Sequence, residues 1–271
     1  MRIFCLAICL LCMAAPTFAA SGPVRMSSAV GPVDAGIVPL LAQKYEEKTG
    51  IPVIYEKAGT GAALKKAESG GYDLVLADAR ALEDAFLAAG YGLDRRDVMF
   101  NDYLILGPRE DPAGIKGLKD AAEAFEKLVA DQAPFVTRGD RSGIHMKEME
   151  IWEKTGIRPR SPWYEVFPDG KKGNRAATLY ADSRKSYVLA DRATHLTLKK
   201  SLSIVPLVEG DELLRNNFAV IAVNPATIPS VNAAGAKAFM DWLVSDEAQG
   251  IIQAFGVDVY GEPLFFPGAQ K

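Results

Sequence analysis

Cysteine is missing from all but the start of this sequence. Cys5, Cys9 and Cys12 are its three cysteines, so everything after residue 12 lacks a disulfide framework, a thiol nucleophile and a cysteine metal site. Histidine is scarce as well: His145 and His195 alone are too few for a zinc site, and no Ser-His-Asp hydrolase signature accompanies them. There is no basic excess. Lys and Arg number 31 against 34 Asp and Glu, a formal charge of −3, which leaves no global positive field for nucleic acid. No phosphate-loop Gly-Lys-Ser/Thr occurs, and Gly59-Thr60-Gly61 is not followed by a third glycine at the dinucleotide spacing, which disfavours nucleotide binding. Internal repeats and low-complexity tracts are absent too. An anion site in such a chain has to be local, built from a few aimed donors in loops and at helix starts.

The apolar run Ile3–Ala15 is too short to span a bilayer comfortably, and no later run is long enough. Arg2 is the only charge before it, and Thr17-Phe18-Ala19 closes it with small residues, the pattern of a cleavable signal peptide over residues 1–19. Ile8 and Leu11 stand before Cys9 and Cys12 where a lipobox needs a small residue. The expected product is a soluble periplasmic protein of about 250 residues, enough for two lobes with sizeable cores.

From Pro23 the apolar pattern alternates between strand and helix. Strands are expected over 23–28, 52–55 and 73–77, and helices over 62–69 and 81–89, with Asp34 capping a further helix that carries Pro39 near its first turn and ends at Gly50. Such alternation implies an α/β fold with a parallel sheet. The apolar runs Val98–Leu106 and Phe218–Val223 flank a middle block that has its own strand, Phe135–Thr137, and helix, Gly143–Thr155. They are expected to be two strands crossing between doubly wound lobes. Lobe 1 is then discontinuous, 20–106 plus 204–271, and lobe 2 is 107–203, with a ligand between them. Further along, Asn232 and Ser245 are expected to cap two C-terminal helices.

Three loops carry candidate binding residues. In Pro134–His145 a strand leads through a tight turn into a helix start; the free N–H groups there point outward with the positive end of the dipole, and an arginine adds a fork of donors. Arg138, Ser142 and the Gly143 amide would cradle an anion. The residues equally allow a plainer arrangement, in which Asp140 or Ser142 caps the helix and Arg138 pairs with Asp140. In the second loop, Gly59, Thr60 and Gly61 free the backbone where another helix begins. In the third, Ser27 and Ser28 stand at the carboxyl edge of the first strand, where open α/β sheets bind ligands. His145 and Glu148 have a metal or acid/base spacing but too few companions, so His145 reads as a hydrogen bonder on its helix. Without an activated nucleophile or a paired acid and base, no enzyme and no cofactor is expected.

Several segments in order, among them Glu47–Gly50, Gly59-Thr60-Gly61, Val98–Tyr103, Asp111–Ile115, Arg138-Gly139-Asp140, Ser142-Gly143, Trp163-Tyr164, Asp191-Arg192, Glu209–Asp211 and Asn224-Pro225, resemble the tungstate-binding receptors of ABC importers (TupA type). These are type II periplasmic binding proteins. The resemblance implies a Venus-flytrap fold, a monomer whose cleft takes a tetrahedral oxyanion of the tungstate or molybdate kind through hydroxyls, amides and one arginine, here Arg138, and delivery to an ABC permease in the inner membrane. Two departures stand out. The family's threonine-rich first loop is Ser27-Ser28-Ala29-Val30-Gly31-Pro32 here, and Ile144 stands where the family has threonine. Each donor lost from a buried charge removes about 1.5–3 kcal/mol, so the departures leave open an organic anion such as a carboxylate or phosphonate, or a sensory or interaction module without transport.

Overall fold

The computed structural model describes residues 22–269; the expected signal peptide, its cleavage site and all three cysteines lie outside them. Among the described residues no helix is long and apolar enough to cross a membrane.

The chain enters on β1 (Val24–Ala29), and β2 (Val53–Ala58) and β3 (Leu74–Ala77) pair with it in parallel, Val24 opposite Val53 and Met26 opposite Leu74. Between β1 and β2 the expected single helix is two, α1 (Val30–Ala35) and α2 (Ile37–Thr49). Gly36, at φ +94°, turns the chain left-handed and donates to the Val33 carbonyl, which ends α1 and restarts the helix. Asp34 therefore lies inside α1 and caps nothing; it pairs with Lys57 on the surface. Pro39 sits in the first turn of α2, and Gly50 ends it at φ +71°. Helices α3 (Thr60–Glu68) and α4 (Arg80–Ala88) flank β3.

The next strand, β4 (Gly92–Gly107), leads to α5 (Ala121–Ala130), β5 (Phe135–Thr137), α6 (Gly143–Thr155), β6 (Tyr164–Val166), α7 (Gly173–Ser183), β7 (Tyr187–Asp191), α8 (Arg192–Leu198) and β8 (Val205–Val208). The chain then returns through β9 (Arg215–Val223) and closes with α9 (Ala233–Leu243), α10 (Asp246–Ala254), α11 (Val257–Tyr260) and β10 (Phe266–Pro267). Strand and helix fall where the spacing of β5 and α6 predicts. Asn232 caps α9 by accepting from the Gly235 N–H, and Ser245 caps α10.

Strand β4 serves both lobes. From Gly92 to Asp102 it pairs with β9, and from Tyr103 onward with β7 and β8. The run Phe218–Val223, expected to cross as well, stays wholly within lobe 1, inserted antiparallel between β3 and β4. It is uniformly apolar because helices cover both faces of the sheet: Phe218 and Val220 join the core under α2, α9 and α10, whereas Ile221 and Val223 join that under α3 and α4. The return crossing falls in residues 209–214. Strand β8, in the stretch expected in lobe 1, hydrogen-bonds to β4 on the side opposite β7. The lobe 1 sheet is thus mixed rather than purely parallel, and in lobe 2 β5 runs parallel to both β6 and β7.

Lobe 2 repeats the two-faced burial. Asp120 caps α5 through the Ala122 and Glu123 amides, and Ala121, Ala124, Phe125 and Leu128 recur at helical spacing against Phe135, Trp152 and Tyr187. The opposite face packs α7 and α8 onto Leu104, Leu106, Val188 and Ala190. Both lobes are therefore three-layered, and the carboxyl ends of their parallel strands carry the candidate loops.

Candidate functional site

Lobe 1 contributes the ends of β1, β2 and β3. Ser27 and Ser28 are fully buried in β1. The Ser27 hydroxyl donates to the Ala63 carbonyl at 2.9 Å and that of Ser28 to the Ala29 carbonyl at 3.0 Å, so each spends its single proton inside lobe 1. Ser27 thereby ties β1 to α3. Gly59 occupies the cap position of α3 without a side-chain bond, and Gly61 lies in its first turn, exposed. Thr60 opens the helix and donates its hydroxyl to Asp78, the residue after β3.

Lobe 2 contributes the turn after β5. Arg138 is nearly enclosed, 13% of its side chain being exposed. It donates to Asn174, Asp140 and, at 2.8 Å, the Gly170 carbonyl. Its buried Nε has no partner among the described residues. Asp140 also accepts from the Ser142 hydroxyl at 2.6 Å and the Ser142 amide at 3.1 Å. Arg138 and Ser142 are thus brought together, but around Asp140: the Arg138–Asp140 pair of the plainer arrangement forms, while neither Asp140 nor Ser142 caps α6 through its side chain. Burial raises the Asp140 carboxyl, yet the Ser142 bonds and Arg138 draw it below the usual range.

The two lobes meet at Gly143 and Asp78. A Cβ built on Gly143, the first residue of α6, would stand 3.1 Å from Oδ2 of Asp78. Burial pushes Asp78 above the usual carboxylate range, opposed by hydrogen bonds from Thr60 and Asn216. Asn216 faces Asn101 across β9 and β4. Directly paired residues share a face, and Asn101, only 5% exposed, holds a buried carbonyl oxygen with no partner among the described residues. Tyr103, two residues on along that face, feels the charges of Asp78, Asp191 and Arg138. Behind Arg138, the Asn174 amide donates to Asp191 at 2.7 Å, and Asp191 caps α8 through the Thr194 amide.

Other expected side chains turn away. Ile144 is buried in the lobe 2 core, so the family's missing hydroxyl is replaced by packing. Glu148 does not join His145; it bonds to Tyr164 and, at 3.1 Å, Trp152, and burial pushes its carboxyl up to about 7. The Nδ1 of His145 accepts from the Arg141 amide at 2.9 Å, which suits the neutral ring that burial favours. No group of three or more potential metal ligands occurs among the described residues.

Asp78, Asn101, Asn174 and Asn216 are absent from the sequence candidates. Asp78 had a signal, since it follows the apolar strand 73–77 at the same sheet edge as Ser28 and Thr60. So did Asn101, a polar residue interrupting the run Val98–Leu106.

The profile of the PBP superfamily domain matches residues 18–247. The tungstate-binding protein TupA of Peptoclostridium acidaminophilum is 37% identical over 254 residues, covering 93% of this chain and 88% of the relative. Among solved structures, the tungstate-binding protein TupA of Desulfovibrio alaskensis superposes with a TM-score of 0.83 at 35% identity, over 92% of this chain and 100% of that one. The tungstate ABC transporter structure from Geobacter sulfurreducens gives 0.76 at 37% identity, over 87% and 100%.

Proposed function

Because this chain belongs to the PBP superfamily, and within it to the family of TupA-type receptors, a family of type II periplasmic binding proteins, we propose that it is the solute-binding protein of an ABC importer. It captures a small tetrahedral oxyanion of the tungstate or molybdate kind between its lobes, works in the periplasm as a monomer after losing residues 1–19, and presents the closed form to a permease. Nucleic acid has no part in this.

The observation that carries the reading is the contact between the lobes, where Asp78, bonded to Thr60 of lobe 1, lies against Gly143 in the first turn of α6 of lobe 2, the helix that follows the Arg138 turn. Helix N-termini and guanidinium groups are the donors a tetrahedral anion needs. Arg138 offers its unpartnered Nε and its charge, the first turns of α3 and α6 offer amides at Gly61 and Gly143, and Thr60, Ser142, Ser27 and Ser28 offer hydroxyls that exchange an internal acceptor for the ligand. Hydrogen bonds to charge contribute about 1.5–3 kcal/mol each, so four or five of them suffice for micromolar or tighter binding, near −8 kcal/mol.

Isothermal titration of the purified protein with tungstate, molybdate, sulfate and phosphate tests the proposal. Micromolar or tighter binding of at least one is expected; binding of none overturns it.

A further inference from the structure

Asp78, at the contact between the lobes, cannot donate to an anion while it is ionised. Its carboxylate accepts from Thr60 and lies against Gly143, the residue that opens α6. An ionised carboxylate and a fully deprotonated oxyanion are both acceptors only. At contact distance they repel and leave no hydrogen between them, whereas a single proton turns the contact into a short charge-assisted hydrogen bond. Asn101 supports the same need for a donor. Its carbonyl oxygen is buried without a partner, on the strand face it shares with Asn216, which itself bonds to Asp78.

We propose that the liganded cleft holds one proton between Asp78 and the bound oxyanion. Capture of a fully deprotonated oxyanion such as tungstate then takes one proton from solution, while hydrogen phosphate or hydrogen arsenate brings its own and takes none. The inference rests on the oxyanion reading above. Asp78 is a specificity-determining residue in it: it sets which protonation state of the ligand fits, and it makes capture of tungstate or molybdate stronger in acid.

The surroundings of Asp78 agree. Burial between the lobes favours its neutral form, and the ionisable neighbours that sense it are Glu83 of α4 and Tyr103 of β4. Glu83 is paired with Arg95 at 2.7 Å. The Tyr103 hydroxyl is pushed well above its usual range by burial, so it keeps its proton at neutral pH. Thr60 and Asn216 do not titrate. Burial raises Glu83 as well as Asp78, but Asp78 is the one of the two that lies at the contact between the lobes, without a cation paired to it among the described residues.

Calorimetric titration in buffers of different ionisation enthalpy counts protons taken up per ligand bound. At pH 8 the wild-type protein is expected to take up close to one proton with tungstate or molybdate and close to none with phosphate or arsenate. Its tungstate affinity should fall by up to tenfold per pH unit between pH 7 and 9. Asp78→Asn, which supplies an amide donor in place of the proton, is expected to abolish both uptake and slope. Tungstate binding without proton uptake and without a pH slope in the wild type overturns the inference and leaves the oxyanion reading intact, even where the variant does not fold. Failure of all four anions to bind overturns the oxyanion reading, and the inference with it.

Discussion

Gly143 of lobe 2 and Asp78 of lobe 1 touch across the cleft so closely that a methyl group on the glycine would lie 3.1 Å from the carboxylate. The carboxylate has little room to yield, being held by Thr60 and Asn216. Gly143→Ala is therefore expected to oppose closure and weaken oxyanion binding roughly tenfold, about 1.4 kcal/mol. The ligand-free melting temperature should shift by no more than about 2 °C, because alanine suits a helix better than glycine does. Calorimetric titration beside thermal denaturation checks this, and unchanged affinity would show that the contact does not accompany ligand binding.

Arg138 separates charge from geometry. Its guanidinium spans Asn174, Asp140 and the Gly170 carbonyl with Nε to spare, a planar fork that lysine cannot copy. Arg138→Lys is expected to keep the fold and lose at least tenfold in oxyanion affinity. Arg138→Ala should lose binding altogether and also about 1–3 kcal/mol of stability, since Asp140 is left without its cation. Scanning calorimetry with titration of both variants distinguishes this from a purely structural arginine, for which the lysine variant would bind as well as wild type.

The reach of sequence reasoning here follows the range of the interactions involved. The strand Phe135–Thr137 and helix Gly143–Thr155 are legible because periodicity and glycine stop are local. The break at Gly36 was not, because one glycine in a helical pattern reads equally as a tolerated residue and as a left-handed turn. The place of Phe218–Val223 was hidden for a different reason: an apolar run reports burial on both faces but not which strands bury it. At the site, the pattern points to the turn around Arg138, yet the capture of Arg138 and Ser142 by Asp140 depends on side-chain geometry that spacing does not encode. Asp78 was passed over because a lone carboxylate looks out of place in an anion site.

Arg192 ties the hinge. From the start of α8 its Nε donates to Asp102 of β4 at 2.7 Å, and its terminal nitrogens reach Glu209 and Glu262 at 3.0 and 3.2 Å. Asp102 is the last β4 residue paired with β9, immediately before β4 turns to β7, so this one guanidinium fixes the crossing strand to both lobes. Removing one partner of a buried pair costs about 3–5 kcal/mol, less where water reaches it. Arg192→Met is expected to cost about 2–3 kcal/mol, lowering the melting temperature by roughly 4–10 °C. Arg192→Lys should recover part of the loss; equal melting of all three proteins would remove the hinge role.

Glu148 makes stability depend on pH in the direction opposite to most carboxylates. Its side chain is buried in lobe 2, accepting from Trp152 and Tyr164, and burial raises its carboxyl from the usual 4.5 to about 7. Between those two pH values the folded state keeps the proton that the unfolded chain releases, so the contribution is full below about 4.5 and is lost as the pH climbs through 7. The difference amounts to about 3 kcal/mol. Glu148→Gln keeps an oxygen for both donors and has no charge to desolvate. It is expected to match wild type in urea denaturation at pH 5 and to exceed it at pH 8 by up to about 3 kcal/mol. Parallel stability curves for the two proteins across that interval would mean that Glu148 stays ionised in the fold, with its desolvation offset by Tyr164, Trp152 and Thr137.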